Sequence, residues 1–227
     1  MLETIQALET EIRRSLRNDF GRPHVEVILS RDFASDHPEH RKALRARLVE
    51  VYTKLEAHKV DSATLTRLTD LAKPPIAKGW AISISHCPLI GGLVAGPSDH
   101  HLGFDFELTS RVRPEIAKRV AVTDVEKALL ESNTPDISPI TKPALFWSAK
   151  EASIKLIGNQ VLEQDRHART PVFNVIEISS LAYRPSPEPL SNTRCYFFEG
   201  RYEEILIHGT SFQVGDLTVS LAARSLV

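Results

Sequence analysis

The chain has 227 residues, with 28 Lys and Arg against 29 Asp and Glu, so its formal charge is -1 when the histidines are neutral. Hydrophobic residues make up 42% and charged residues 25%, which excludes a disordered or collagen-like chain and fits one large or two small folded domains. Because the chain as a whole is not basic, we expect no nucleic-acid partner.

The cysteine content and the apolar runs bear on the compartment. Cys87 and Cys195 are too few for a disulfide framework in a chain of this length and predict two free, buried thiols. The first residues include an acid where a secretory signal would carry bases, and the longest apolar stretch, 89–96, is too short to cross a bilayer. We therefore expect a cytoplasmic protein without a membrane partner.

Hydrophobic periodicity in the first half predicts two helices followed by strands. In chain order, the patterns predict a helix over 2–16, a strand over 25–29, a second helix opened by a capping box at 36–39, and strands over 81–85, 91–95 and 102–108.

The second half repeats this order of helices and then strands. It predicts a helix over 114–119, a second opened by a capping box at 123–126, a long helix ending near 158, and strands over 172–178, 196–198, 203–207 and 217–223. Two similar α+β lobes with a boundary near 110–114 follow from this repetition.

The strand predicted over 102–108 has one acidic face and one apolar face. Its alternation places Gly103, Asp105 and Glu107 on one face and apolar residues on the other. The two carboxylates lie about 6.5 Å apart at the backbone, and such like charges repel unless a cation lies between them. Mg²⁺ with oxygen ligands satisfies that geometry, and the alternative is an edge strand with a solvated acidic face.

The long helix carries a second polar set. At helical spacing, Trp147, Ser148, Glu151 and Lys155 share one stripe. The simplest reading is an exposed Glu–Lys pair that supports the helix, but a large aromatic residue beside the pair indicates a partly enclosed stripe.

A third set consists of Ser85 and His86 at a strand end, with Lys73 and Pro74 upstream. A hydroxyl, an imidazole and a lysine can together bind phosphate oxygens. The alternative is a strand that ends in an incidental histidine.

In this order and spacing, the segments 73–74, 85–86, 103–107 and 146–155 resemble the 4'-phosphopantetheinyl transferases. The resemblance is to the larger type associated with surfactin and enterobactin synthetases, and it runs from about residue 41 to residue 158. It implies two lobes, 1–111 and 112–227, related by a pseudo-two-fold axis, with the active site between them. It also implies transfer of phosphopantetheine from coenzyme A to a carrier-protein serine.

The resemblance assigns roles in metal binding and catalysis by position. It implies that Asp105, Glu107 and Glu151 hold Mg²⁺, or Mn²⁺ in its place, against the coenzyme A diphosphate. It further implies Glu151 as the general base, direct or through a water, and Lys155 as the group that stabilises or protonates the leaving oxygen.

The resemblance also implies a set of residues that bind coenzyme A. Lys150 and Lys155 would bind the diphosphate, and Asp105 would reach it through the metal. The adenosine phosphates would be held by Lys73, Ser85 and His86, with Arg41 and Arg45 at the 3'-phosphate.

The expected partner is an apo acyl or peptidyl carrier protein, and two lobes in one chain predict a monomer. Val120 and Ala121 stand where the family often has aromatic residues, so carrier docking is expected to differ. Two other functions remain open: another Mg²⁺-dependent phosphoryl-transfer enzyme or phosphohydrolase, and a non-catalytic carrier-binding module. The intact acidic set favours an enzyme.

Overall fold

The computed structural model describes residues 2–56, 61–72, 75, 77–134, 136–158, 174–185 and 193–224. Backbone contacts divide the chain into two units, Met1–Leu102 and Gly103–Val227. Both are α+β, each with an antiparallel sheet packed against helices, which confirms the predicted fold class. The pseudo-two-fold relation stays a prediction. Among the described residues, none of the helices combines the length and apolar character that a bilayer crossing requires.

The first unit contains three helices and three strands among its described residues. They are α1 (Leu2–Asn18), β1 (Glu26–Ser30), α2 (His40–Leu55), α3 (Ser62–Thr69), β2 (Trp80–His86) and β3 (Gly91–Pro97). The strands form an antiparallel sheet in the order β1-β3-β2. The short helix α3 follows an Asp61 side chain that caps it, and the sequence analysis missed it.

Apolar faces of the helices build the core of this unit. The predicted stripe of α1 is buried at Leu8, Ile12 and Leu16. Leu44 and Leu48 of α2 join a second buried cluster that includes residues of β2, β3 and α3. The helical spacing in the sequence therefore identified these buried residues, whereas Leu55, the last residue of the pattern in α2, is exposed.

The predicted capping box at 36–39 is wrong. Helix α2 begins at His40, and its N-cap residue Glu39 makes no side-chain capping bond. A capping box would have Asp36 accept a hydrogen bond from the amide of Glu39. That amide instead donates to the Nδ1 of His37 at 3.3 Å.

The second unit contains three further helices and the remaining described strands. They are β4 (Leu102–Leu108), α4 (Pro114–Val120), α5 (Asp124–Glu131), α6 (Lys142–Gly158), β5 (Glu177–Arg184), β6 (Thr193–Tyr202), β7 (Ile205–Val214) and β8 (Leu217–Arg224). The sheet order is β4-β8-β7-β6-β5. Leu145, Ala149, Ala152 and Leu156 of α6 are buried in its core.

Three strands of this unit differ in their boundaries from the predicted ones, and β6 extends beyond the predicted 196–198 at both ends. Residues 172 and 173 of the strand expected over 172–178 lie outside the described residues, and the strand described in this region is β5, which pairs with β6 from Glu177 on. The strand expected over 203–207 begins at Ile205, because Glu203 and Glu204 form the turn between β6 and β7. Glu203 adopts a positive φ of 49° there, which a strand residue does not.

Strand β4 joins the second sheet. It lies next to β8, and the amide of Thr109, just after the strand, donates to Asp216 O at 2.8 Å. The predicted lobes 1–111 and 112–227 placed this strand in the first lobe. The structural division at 102/103 falls after the first residue of this strand, whose neighbour β8 lies more than a hundred residues later in the chain.

Candidate active site

Gly103 brings the acidic strand directly against helix α6. A Cβ at this position would lie 1.8 Å from the carbonyl oxygen of Ala152 and 2.6 Å from the amide nitrogen of Leu156. No side chain fits there, so glycine is required for β4 to approach the helix backbone. The alternation of the strand places Asp105 and Glu107 on this same face.

A methyl group at Gly103 is expected to disrupt this contact. We predict that Gly103→Ala lowers the free energy of unfolding by about 1–3 kcal/mol or more, since overpacking forces backbone shifts. Urea unfolding and a turnover assay would measure the loss of stability and of activity.

Gly21→Ala is the matched control for that substitution. Gly21 has a φ of +63° but open space around it, so alanine there adds only backbone strain of about 1–2 kcal/mol. Equal stability losses in the two variants, with full activity in Gly103→Ala, would contradict the close-approach argument.

Asp105 and Lys155 form an ion pair between the strand and the helix. The Nζ of Lys155 donates to Oδ1 of Asp105 at 2.7 Å. The side chain of Asp105 is 8% exposed and that of Lys155 is 29% exposed. Two of the residues predicted to act together are therefore in direct contact.

Glu151 and Glu107 complete a cluster of interacting charges. Burial raises the pKa of Glu151, the charges of Asp105 and Glu107 raise it further, and Lys155 opposes them. Burial also raises the pKa of Glu107, opposed by a hydrogen bond from the Leu108 amide. The structure thus brings Asp105, Glu107, Glu151 and Lys155 within electrostatic reach of each other.

The donor chemistry of this cluster fits a hard divalent cation. Three carboxylates supply the oxygen ligands that Mg²⁺ and Mn²⁺ prefer. Burial first, and then the charges of neighbouring carboxylates, raise the pKa of Glu107 and Glu151, and a bound cation would oppose both effects. As the side chains stand, no three or more His, Cys, Asp or Glu residues in the described part of the chain are arranged to hold a metal. Binding would therefore require side-chain adjustment around Asp105, where Lys155 now lies.

Lys150, which the resemblance implies as a diphosphate ligand, is bonded to groups inside the fold. Its ammonium is fully buried and donates to the Val120 carbonyl oxygen at 2.6 Å and to the two carboxylate oxygens of Glu126 at 2.7 and 2.9 Å. The ring of Phe146 lies 5.7 Å from it. An ammonium has three hydrogens to donate, and acceptors within the unit use them. Lys150 therefore pairs with groups in the interior of the fold, and this position argues against contact with a diphosphate.

Glu126 makes more hydrogen bonds than the capping box predicted for it from the sequence. The predicted capping box at the start of α5 is confirmed, with Thr123 and Glu126 bonded reciprocally. The buried carboxylate also accepts hydrogen bonds from the amides of Val122 at 2.8 Å and Ile178 at 3.0 Å, besides those from Lys150. Lys150 directly precedes Glu151, and consecutive helix residues point about 100° apart. This angle could have indicated from the sequence that the two residues have different roles.

The first unit contains the residues predicted to bind the adenosine phosphates. Ser85 is buried in β2, and His86 ends that strand with its ring 4.7 Å from the ring of His40. Arg41 is exposed near the start of α2. Lys73 and the polar segment 159–171 lie outside the described residues.

Arg45 is a second correction to the predicted phosphate ligands. Its side chain is buried, and its guanidinium donates to the carbonyl oxygen of Leu68 in α3. Burial lowers the pKa of Arg45, opposed by the charge of Asp70. Its position therefore indicates a role in packing α2 against α3.

Comparison with known proteins bears on the second unit. Residues 101–211 match the model of the 4'-phosphopantetheinyl transferase superfamily. The matched span contains β4 and α6, and with them the cluster of Asp105, Glu107, Glu151 and Lys155. A search of curated proteins gave no match. The chain therefore contains a 4'-phosphopantetheinyl transferase superfamily domain over residues 101–211.

Proposed function

We propose that this protein transfers the 4'-phosphopantetheine group of coenzyme A to a serine hydroxyl of an apo carrier protein, releasing adenosine 3',5'-bisphosphate. Members of the superfamily carry out phosphopantetheine transfer with coenzyme A and a divalent metal in general. The observation that carries the proposal is the charge cluster on β4 and α6, which lies inside the matched span.

The reaction would proceed by in-line displacement at the β-phosphorus of coenzyme A. When bound by Asp105, Glu107 and Glu151, Mg²⁺ or Mn²⁺ would neutralise diphosphate oxygens and so favour attack. Glu151 would take the proton of the serine hydroxyl, directly or through a water.

The displacement exchanges one oxygen–phosphorus bond for another. The serine oxygen forms a bond to phosphorus while the bond from phosphorus to the bridging oxygen breaks. The departing oxygen keeps that electron pair, and the ammonium of Lys155 would stabilise or protonate it.

The remaining predicted features belong to the same proposal. Arg41, Lys73, Ser85 and His86 would hold the adenosine phosphates. We further propose the larger, two-lobed type, acting as a monomer in the cytoplasm. The two free cysteines fit a reducing compartment.

Mass spectrometry tests the reaction directly. The protein is mixed with coenzyme A, Mg²⁺ and apo carrier proteins of the fatty-acid, polyketide, peptide-synthetase and lysine-biosynthesis classes, and each carrier is weighed. We expect a phosphopantetheine adduct on at least one carrier and none when EDTA is present.

The same assay separates the alternative functions. Absence of adduct on every carrier, with phosphopantetheine released into water, would indicate a phosphohydrolase. Carrier binding without either product would indicate a non-catalytic module.

A further inference from the structure

Two histidine rings, those of His40 and His86, are in contact within the first unit. Their centroids lie 4.7 Å apart and their planes meet at 80°, which is the edge-to-face arrangement that aromatic pairs prefer. His86 is the last residue of β2, and His40 is the first residue of α2. Both side chains are partly exposed, so a dissolved ligand can reach the pair.

Main-chain hydrogen bonds hold this strand end beside the start of the helix. The amide of Ser35, in the segment that leads into α2, donates to the carbonyl oxygen of Cys87 at 2.8 Å. Cys87 is the residue directly after His86. The amide of His40 donates to the carbonyl oxygen of His37 at 3.1 Å. The backbone therefore fixes the positions from which the two rings meet.

The ring of His40 has one bonded nitrogen and one enclosed nitrogen. Its Nδ1 lies 2.7 Å from the carbonyl oxygen of His37. A carbonyl only accepts, so Nδ1 carries the hydrogen, and in the neutral ring Nε2 presents a lone pair. Nε2 is buried and makes no hydrogen bond within the described part of the chain. Packing alone does not explain a histidine here, because a phenylalanine ring would fill this space without enclosing an unbonded nitrogen.

We propose that His40 is a positioning residue for His86, which it holds in the orientation that binds a phosphate of coenzyme A. This inference rests on the proposed function, in which His86 contacts an adenosine phosphate. Rotation of the His86 ring would bring one N–H group to the lone pair on Nε2 of His40. In the protonated form that a bound anion favours, the second nitrogen of His86 would donate to a phosphate oxygen.

Calorimetric titration with coenzyme A, in the presence of Mg²⁺ and without carrier protein, tests the acceptor on His40. His40→Phe keeps a ring and removes the nitrogens, and we expect it to weaken coenzyme A binding by about three- to tenfold, the usual effect of one lost hydrogen bond. His40→Gln removes the ring but keeps a side-chain acceptor, so it should retain more of the affinity. Thermal unfolding checks that each variant is folded.

A double-variant cycle tests whether His40 acts through His86. In the His86→Ala background, His40→Phe should change the affinity for coenzyme A by less than about twofold. In the turnover assay, His40→Phe alone should raise the KM for coenzyme A and leave kcat within about twofold, because the proposal places His40 at the adenosine end of the coenzyme.

His37→Gln is the matched control. It removes an exposed imidazole from the same segment and keeps the backbone carbonyl to which His40 is bonded. We expect it to change the affinity for coenzyme A by about twofold or less.

The outcomes separate this inference from the proposed function. If His40→Phe binds coenzyme A as tightly as the unmodified protein, or is as harmful with His86→Ala as without it, the positioning role is wrong while the transferase proposal stands. If His86→Ala alone does not weaken binding, the positioning role fails in the same way. If the unmodified protein binds no coenzyme A, the proposed function fails and this inference fails with it.

Discussion

Glu126→Gln is expected to lower the free energy of unfolding by about 3–5 kcal/mol, because it leaves the charge of Lys150 buried without the carboxylate bonded to it. Lys150→Met should cost less. The carboxylate it leaves behind still accepts hydrogen bonds from the amides of Val122 and Ile178. Urea unfolding of both variants would measure the two losses and their order.

A double variant and an exposed ion pair test whether burial of the charge causes this loss of stability. In Glu126→Gln combined with Lys150→Met no buried charge remains, so it should be more stable than Glu126→Gln alone. The exposed pair Lys127–Asp124 is the control, and Lys127→Met should change stability by about 0.5 kcal/mol or less. Equal effects in Lys127→Met and Glu126→Gln would refute the claim that burial makes the difference.

Glu151→Gln is expected to reduce turnover by about 10²- to 10⁴-fold, the usual contribution of a general base. The same variant should be more stable than the parent in the absence of metal. The pKa of Glu151 is raised in the folded protein, so its ionised form is disfavoured at neutral pH, and a neutral amide removes that cost. We expect this gain to appear as a higher Tm in the absence of metal.

The opposite signs of these two effects distinguish a catalytic carboxylate from a structural one. Turnover is measured by mass spectrometry of the carrier and Tm by calorimetry with EDTA present. Glu3→Gln, an exposed position on α1, serves as the control and should change neither quantity. Near-normal turnover in Glu151→Gln would remove Glu151 as base or metal ligand.

Local periodicity was sufficient to predict the elements that carry the site. The strand over 102–108 and the helix ending near 158 were predicted with their faces, because alternation and helical spacing are properties of adjacent residues. The capping box at Thr123 and Glu126 was predicted for the same reason. These elements contain the acids and the lysine that the structure brings together.

Partners distant in the chain could not be predicted in this way. Lys150 lies 24 residues from Glu126 and 30 from Val120, and no helical or strand period connects such positions. The resemblance likewise assigned Arg45 to a phosphate, although its guanidinium donates to the backbone carbonyl of Leu68. In both cases the resemblance implied a ligand, and the burial of the side chain indicates another role.

The contact at Gly103 makes the separation of β4 and α6 a property of the main chain. Because a backbone carbonyl and amide of the helix lie against the strand, repacking of side chains elsewhere cannot bring the two elements closer. Substitutions in the surrounding loops are therefore expected to leave the spacing between Asp105 and Glu151 unchanged. Surface segments can then vary in sequence while these two residues keep their separation.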